Sequence, residues 1–344
     1  MRWSAQALDE ADPEALPGLA RLSGLVRSVR TPDFAGVTFH EVHAKSALNR
    51  VPAPSAVPFE WTVNAMRGCL HRCTYCFARR THEYLEFDAG HDFDTQIVVK
   101  VNVADVLRRE LFRPRWERHH VALGTNTDPY QRPEGRYRLM PGIIGALAES
   151  GTPFSILTKG TLLRRDLPLL SAVANRVPVG IAISLALLDP VLHDQIEPGT
   201  PSPKARLDLI RAVRDAGFGC SVMVAPVLPQ LTDGEEQMDA LFGALADAGA
   251  TRVTVLPLHL RPGTKEWFME NLGRDRPELV PVYQRLYGRG AYLGSGYTSM
   301  LKERVQVVRA RHRLDGVDDD HAAHRFTATT RPPAVATLQQ TALF

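Results

Sequence analysis

Three of the four cysteines of this 344-residue chain lie in one stretch, Cys69-Leu70-His71-Arg72-Cys73-Thr74-Tyr75-Cys76. Their spacing is C-x3-C-x2-C, and the stretch closely follows a short, mostly apolar segment, Trp61 to Met66. The remaining cysteine, Cys220, is distant in sequence. Clustered cysteines in a cysteine-poor chain are typical of a soft metal site or an iron–sulfur cluster. The stretch therefore predicts the centre around which the chain is organised.

Three thiols would leave one iron of a [4Fe–4S] cluster without a protein ligand, because such a cluster normally takes four thiolates. Open coordination is typical of catalytic rather than structural metal sites. Zinc is the alternative, with His71 as its fourth ligand. His71 lies between the first two cysteines, so the loop would have to double back sharply. A disulfide is not favoured, since three cysteines cannot pair among themselves and nothing suggests export.

The motif resembles the cluster motif of radical S-adenosylmethionine (SAM) enzymes, C-x3-C-x-aromatic-C, with Tyr75 as the aromatic residue. The wider sequence is similar to the branch that contains spore photoproduct lyase and its uncharacterised bacterial relatives, across residues 55 to 260. It reads Asn64-Ala65-Met66-Arg67-Gly68-Cys69 and then Tyr75-Cys76-Phe77-Ala78-Arg79. The resemblance implies that Cys69, Cys73 and Cys76 bind three irons of a [4Fe–4S] cluster and that SAM chelates the fourth.

The resemblance also implies an activity, the reductive cleavage of SAM to a 5′-deoxyadenosyl radical that abstracts hydrogen from a substrate. The substrate is open, with nucleic acid as one candidate, and a reducing partner of the flavodoxin or ferredoxin type is expected. Spore photoproduct lyase has a hydrogen-donating cysteine after its second strand. The corresponding stretch here, Leu123-Gly124-Thr125-Asn126, has no thiol. The dimer-splitting reaction of that enzyme is therefore not expected.

Two other classes of function compete with this interpretation. One is a non-catalytic iron–sulfur protein, in which the cluster carries electrons or staples the fold. The other is a zinc-dependent binding module. A net charge of +3 permits a nucleic-acid partner without arguing for one. No stretch is long and apolar enough to span a bilayer, so no membrane partner is expected and the protein is expected to be soluble and cytoplasmic.

Strand-like and helix-like segments alternate after the cysteine stretch, in about six βα units. Their strands are near-continuous apolar runs, which parallel sheets use. The expected strands begin near Trp61, Val121, Phe154, Val177, Cys220 and Arg252. This alternation predicts an α/β fold with a parallel sheet and right-handed crossovers, either open or closed. The resemblance selects a partial (β/α)6 radical SAM barrel with an N-terminal arm and a C-terminal extension.

The sequence divides into four predicted regions. Residues 1–57 form the arm, which is expected to pack as a lid or an edge strand, and residues 58–262 form the partial barrel. Residues 263–315 form a helical extension, in which Trp267, Tyr283 and Tyr287 either line a substrate cleft or belong to the core. Residues 316–344 have the polar composition of a disordered tail.

Ligand sites in parallel α/β folds lie at the carboxyl ends of the strands. The second strand is followed by a run dense in small hydroxyls, in which Thr125, Thr127 and Asp128 would serve an ammonium group. The same residue types also favour turns. The resemblance assigns this position to recognition of the amino group of SAM.

Four further residues are candidates for SAM contacts. Lys159, after the third strand, suits a carboxylate, and the resemblance assigns it to that of SAM. By resemblance Ser184 contacts the SAM carboxylate or ribose, although it would also suit a backbone hydrogen bond. Arg206 either assists with the carboxylate or is a surface arginine. Backbone groups at Ala225 would read adenine edges, with Tyr75 on the other side.

The chain ends in Gln340-Thr341-Ala342-Leu343-Phe344. An apolar pair on a polar tail suggests an anchor for a hydrophobic groove. Gln340, Leu343 and Phe344 resemble the peptides that bind the bacterial replication sliding clamp. The hypothesis is recruitment to replicating or damaged DNA.

Overall fold

The computed structural model describes residues 22, 24–52 and 57–314. The tail and its clamp-like motif lie outside these residues. The strands are β1 (Leu25–Val29), β2 (Thr38–Val42), β3 (Leu48–Arg50), β4 (Trp61–Val63), β5 (Met66–Arg67), β6 (Gln96–Lys100), β7 (Val121–Leu123), β8 (Phe154–Thr158), β9 (Val179–Ser184), β10 (Cys220–Val227) and β11 (Arg252–Pro257). The helices are α1 (His91–Thr95), α2 (Val103–Leu111), α3 (Glu134–Tyr137), α4 (Leu139–Glu149), α5 (Leu163–Ala174), α6 (Pro190–Ile196), α7 (Pro203–Asp215), α8 (Glu235–Asp247), α9 (Thr264–Asp275), α10 (Val280–Tyr287) and α11 (Ser295–Arg311), with short 3-10 helices at Pro32–Phe34, Phe77–Leu85 and Pro277–Leu279.

The main sheet contains the six predicted parallel strands. They lie side by side in chain order, β4, β7, β8, β9, β10 and β11, and the antiparallel β3 borders β4. Their apolar side chains, with those of the connecting helices, form one large buried core. The predicted α/β class with a parallel sheet is confirmed, and the carboxyl ends of all six strands meet at one edge of the sheet.

Helix boundaries follow local capping chemistry. The fourth strand, expected to begin near Val177, is β9 and begins at Val179, and the chain after it leads to Asp189. The Asp189 carboxylate accepts hydrogen bonds from the Val191 and Leu192 N–H groups and starts α6 with Pro190 in its first turn. Such a cap satisfies N–H groups that have no partner within a helix.

A second sheet positions the cysteine stretch. Its strand order is β1-β2-β6-β5, with β2 parallel to β6 and β5 antiparallel to it. The cysteines lie between β5 and β6, so this sheet holds both ends of the segment that contains them. The arm contributes β1 at the edge and a fully buried β2.

The C-terminal helices pack beside the barrel. Tyr283 and Tyr287 are buried, and their hydroxyls donate to the carbonyls of Pro229 and Leu258 at 2.8 Å each. Both tyrosines therefore belong to the core and do not line a cleft. None of the helices among the described residues is long and apolar enough to cross a membrane. The predicted region boundaries stay predictions.

Candidate functional site

The cysteine loop, residues 68–76, is a series of tight turns that follows β5. Gly68 has φ of +81°, and a Cβ there would lie 2.9 Å from the Phe93 carbonyl oxygen. The Cys69 N–H donates to that same carbonyl at 3.1 Å. Two turns follow, one starting at Cys69 and one at Cys73. The Arg72 N–H donates to Cys69 O in the first, and the Cys76 N–H donates to Cys73 O in the second.

The three thiols suit an iron–sulfur cluster by their chemistry. Cys69 and Cys73 are buried and Cys76 is half-buried. Burial raises the pKa of all three thiols, and for Cys69 the nearby charges of Asp128 and the other two cysteines raise it further. Buried thiolates need a bound cation, which displaces their protons. The described residues include no group of three or more His, Cys, Asp or Glu side chains arranged around a single metal ion. A cluster does not require one, because each of its cysteines binds a different iron.

A buried arginine clamps the loop from the side of Cys76. The Arg79 guanidinium is completely buried, donates to Cys73 O at 3.1 and 3.2 Å, and forms an ion pair with Asp94 at 3.0 Å. It lies over the rings of Phe93 and Trp267, at 5.2 and 4.8 Å from their centroids. Aromatic faces stabilise a cation that has left water. Arg79 therefore fixes the backbone at the middle cysteine.

The last residue of α6 and the segment that follows it are hydrogen-bonded to the cysteine loop. The Thr74 N–H donates to Ile196 O at 3.0 Å, and the Gly199 N–H donates to His71 O at 3.1 Å. The two backbones approach so closely that a Cβ at Gly199 would lie 2.0 Å from Leu70 O. A glycine is required here because no side chain fits between two main chains.

We expect Gly199→Ala to displace the cysteine loop and to lower the iron content after reconstitution by more than half. The added methyl meets backbone rather than a flexible side chain, so it cannot be accommodated by rotation. Gly296→Ala is the matched control, because Gly296 lies in α11 with open space around it and alanine is the better helix former. Iron content per chain is the measurement. Equal iron in both variants would contradict the close contact.

Two of the residues predicted to bind the SAM amino group support the loop directly. The Thr127 hydroxyl donates to Gly68 O at 2.7 Å and accepts from Gln131 Nε2 at 2.8 Å. Asp128 forms an ion pair with His71 Nδ1 at 3.3 Å. Thr125 is more exposed and donates to Asn64 Oδ1 at 3.2 Å. All three lie beside the loop, and their contact with SAM stays a prediction.

Asp128 is a fully engaged carboxylate. Besides His71, it accepts from the Thr158 hydroxyl at 2.5 Å and from the N–H groups of Lys159 and Tyr130 at 2.7 and 2.8 Å. Burial would raise the pKa of Asp128, but the His71 charge and these hydrogen bonds outweigh burial and hold the pKa below its usual value. Asp128 thus holds His71 through Nδ1 and fixes the orientation of its ring beside the cysteines.

Four other predicted residues meet at one point beside the loop. Lys159 Nζ donates to Ser184 Oγ at 2.6 Å and lies 5.8 Å from the Tyr75 ring centroid. Arg206 Nη1 donates to Ser184 O at 3.1 Å, and Arg206 Nε has no hydrogen-bond partner among the described residues. Arg206 is completely buried, so its interpretation as a surface arginine is wrong. Lys159 is the more exposed cation of this group, with 13% of its side chain exposed, and it fits an anionic ligand group.

Glu197 completes this group and is not among the residues predicted from the sequence. Its Oε2 lies 2.7 Å from Arg206 Nη2, its Oε1 lies 3.8 Å from Lys159 Nζ, and the Tyr75 hydroxyl donates to Oε1. Burial would raise the pKa of Glu197, but the two cations outweigh it and lower the pKa to about 2. The signal in the sequence is a carboxylate in the connection between α6 and α7, a few residues before Arg206.

Ala225 lies in β10, two residues after Met223, which pairs with Ser184 of β9. The pairing of β10 with β11 is interrupted between Val224 and Val227, and its pairing with β9 ends at Met223. The backbone groups of Ala225 therefore lie outside both ladders of the described sheet. They are free of sheet pairing, as the predicted adenine contact requires.

The family model of the Radical SAM superfamily matches residues 63–242, a range that contains the cysteine loop, Lys159, Ser184 and Arg206. The chain belongs to the radical SAM superfamily. The cofactors of the family are a [4Fe–4S] cluster and SAM, and the donors described above fit both. The predicted partial barrel and both cofactors are thereby confirmed, and zinc is not retained.

The chain also resembles individual proteins. An uncharacterized protein of Mycobacterium tuberculosis is 62% identical over 342 residues, which cover 98% of this chain and 100% of that protein. Spore photoproduct lyase complexed with dinucleoside spore photoproduct has a TM-score of 0.61 at 17% identity, covering 80% of this chain and 79% of that one. A mutant of that lyase with bound AdoMet and the dinucleoside gives a TM-score of 0.60 at 17% identity, covering 79% and 78%. These structures share the fold.

Proposed function

We propose that this protein is a radical SAM enzyme that acts on a substrate held at the carboxyl ends of the parallel strands. The observation that carries the proposal is the meeting of Lys159, Ser184 and Tyr75 beside the loop of Cys69, Cys73 and Cys76. When bound and reduced, the cluster supplies the electron that cleaves SAM to methionine and a 5′-deoxyadenosyl radical, which abstracts hydrogen from substrate.

The residues of the chain bind and orient. The three thiolates hold three irons, and the Lys159 ammonium with the Ser184 hydroxyl receives the carboxylate of SAM. Thr125 offers a hydroxyl to the amino group. Tyr75 is buried beside these groups and excludes water, which suits a reactive intermediate.

The rival function, a non-catalytic electron carrier, is disfavoured by the same group of residues. A cluster that only stabilises the fold or only carries electrons needs no cationic pocket beside it. The 13% exposed side chain of Lys159, held between Ser184 and Glu197, is suited to a ligand that enters from the open end of the barrel.

We propose nucleic acid as the substrate class, because exposed aromatic and basic side chains lie next to Cys76 and in the segments that follow the carboxyl end of β11. Phe77, next to Cys76, is 55% exposed and Tyr292 is 56% exposed. Tyr292 packs on His259 with ring centroids 4.8 Å apart, and Arg261 Nη2 lies 3.4 Å from its hydroxyl. Exposed aromatic rings stack on nucleic-acid bases, and neighbouring arginines bind the phosphates. The bound dinucleoside in the lyase structures agrees with this class.

A deuterium-transfer experiment tests the substrate class. The reconstituted, reduced enzyme is mixed with SAM and a perdeuterated single-stranded DNA oligonucleotide. We expect deuterium in the 5′-deoxyadenosine, detected by mass spectrometry. Tyr292→Ala should weaken oligonucleotide binding by about tenfold, the contribution of one base stack, without changing SAM cleavage in the absence of DNA. Unlabelled 5′-deoxyadenosine with DNA, RNA and free nucleotides alike would exclude nucleic acid.

The proposed partners and location follow from the same chemistry. A flavodoxin or ferredoxin would supply the electron, and the cluster would survive in the reducing cytoplasm. The clamp contact through Gln340, Leu343 and Phe344 stays a hypothesis. Deleting these tail residues should abolish binding to the sliding clamp in a pull-down, and absence of binding by the full-length chain would reject it.

A further inference from the structure

Glu197 is a buried carboxylate whose oxygens are all engaged by protein. Oε1 accepts from the Tyr75 hydroxyl and faces Lys159 Nζ, whereas Oε2 faces Arg206 Nη2 and lies 3.4 Å from the Thr200 hydroxyl. Its side chain is 0% exposed. No oxygen remains available to contact SAM. Glu197 can therefore act on SAM only through its neighbours.

Those neighbours belong to two separate parts of the site. Tyr75 lies between the second and third cluster cysteines, whereas Lys159 follows β8 and is assigned to the SAM carboxylate. Arg206 lies in α7 and also holds the backbone of Ser184. One carboxylate thus contacts the loop that binds the cluster and the side chain that binds the cofactor.

The charges of Glu197, Lys159 and Arg206 determine how much positive charge is left for the carboxylate of SAM. Lys159 and Arg206 carry two positive charges, and Glu197 carries one negative charge in the same buried space. Arg206 is the closer partner, so its charge is cancelled. The positive charge that remains for an incoming carboxylate is that of Lys159, the more exposed of the two cations. A buried cation left without a counter-ion would be costly.

We propose that Glu197 is a positioning residue for SAM: it holds the Lys159 ammonium and the Tyr75 hydroxyl at fixed places beside the cluster loop while it neutralises Arg206. The proposal rests on the proposed function in that Lys159 receives the SAM carboxylate. It assigns to Glu197 the coupling between cluster and cofactor. Changing Glu197 should alter how SAM meets the cluster even when the cluster is complete.

The test compares Glu197→Gln with wild type in the anaerobically reconstituted protein. Glutamine keeps the shape and an acceptor for Tyr75 but lacks the charge that holds Lys159. We expect unchanged iron content, a dissociation constant for SAM raised about tenfold because the Lys159 ammonium is no longer held in place to receive the carboxylate, and a smaller SAM-induced change in the electron paramagnetic resonance spectrum at saturating SAM. If the glutamine variant does not retain iron, Glu197→Asp is measured in its place. Aspartate keeps the charge, but its side chain is one methylene too short to reach Tyr75 and Lys159.

Glu134→Gln is the matched control, because Glu134 is another completely buried glutamate, paired with Arg165 at 2.7 Å. We expect it to lower stability without changing SAM affinity or the spectrum. Unchanged affinity and spectrum for the iron-loaded Glu197 variant, or equal losses in the two variants, would overturn the inference. Lack of SAM binding by wild type would instead overturn the proposed function, so the two failures are distinguishable.

Discussion

Replacing Cys73 by alanine is expected to abolish SAM cleavage and to reduce iron binding after reconstitution to background. Cys73 is the middle ligand of the loop, is buried, and has its backbone carbonyl held by Arg79. With two thiols left, two irons of a [4Fe–4S] cluster would lack protein ligands, which is one more than SAM is expected to chelate. Iron content and 5′-deoxyadenosine formation are measured together.

Cys220→Ala is the control for this prediction. Cys220 is also buried, at the start of β10, but it lies in the apolar core and its sulfur contacts the carbonyl of Ser221. We expect wild-type iron content and SAM cleavage, with a modest loss of stability from the small cavity. Iron bound at wild-type levels by Cys73→Ala would contradict the assignment of the loop as the cluster site.

Replacing Arg79 by methionine is expected to lower the free energy of unfolding by about 3 kcal/mol, because breaking a buried ion pair leaves its partner charge uncompensated. Asp94 would be the orphaned group, and the loop would lose the two hydrogen bonds to Cys73 O. We therefore also expect weaker retention of iron. Anaerobic urea unfolding and iron content are the measurements.

The loss of stability in Arg79→Met should depend on pH. Burial raises the pKa of Asp94 although Arg79 opposes it, so without Arg79 the carboxyl would take up a proton more readily. A group whose pKa is raised on folding favours the folded state at low pH and disfavours it as the pH rises. The variant should therefore lose less stability at about pH 5.5 than at about pH 8.

Arg108→Met is the comparison for Arg79→Met. Arg108 pairs with Glu149 at 2.8 Å, but both side chains are exposed. Exposed ion pairs contribute about 0.5 kcal/mol, so this variant should remain close to wild type at either pH. Equal losses in the two variants would show that the buried pair does not hold the cysteine loop.

The sequence predicts the main sheet well because its signals are local. Each parallel strand is an apolar run between turn residues, and the cysteine spacing is a short, specific motif. The second sheet was not predicted as a sheet, since β5 has two residues and pairs with β6 across the whole cysteine segment. Pairings of short strands over such distances leave no periodic pattern in the sequence.

The sequence predicts which residues lie at the candidate site better than it predicts which of them contact one another. Placing polar residues at strand ends finds Lys159, Ser184 and the run from Thr125 to Asp128. It does not reveal that Arg206 is completely buried or that Glu197 holds it, because the burial of a charge depends on residues brought together by tertiary packing. The pairing of His71 with Asp128 is equally non-local, with 57 positions separating the two residues.

The most direct test of the central claim is anaerobic. The protein is reconstituted with iron and sulfide, reduced, and mixed with SAM, while the electron paramagnetic resonance signal and 5′-deoxyadenosine formation are followed together. We expect a [4Fe–4S] signal that shifts when SAM is added, with 5′-deoxyadenosine formed at the same time. A cluster signal that is indifferent to SAM, with no 5′-deoxyadenosine, would contradict the account and favour an electron carrier.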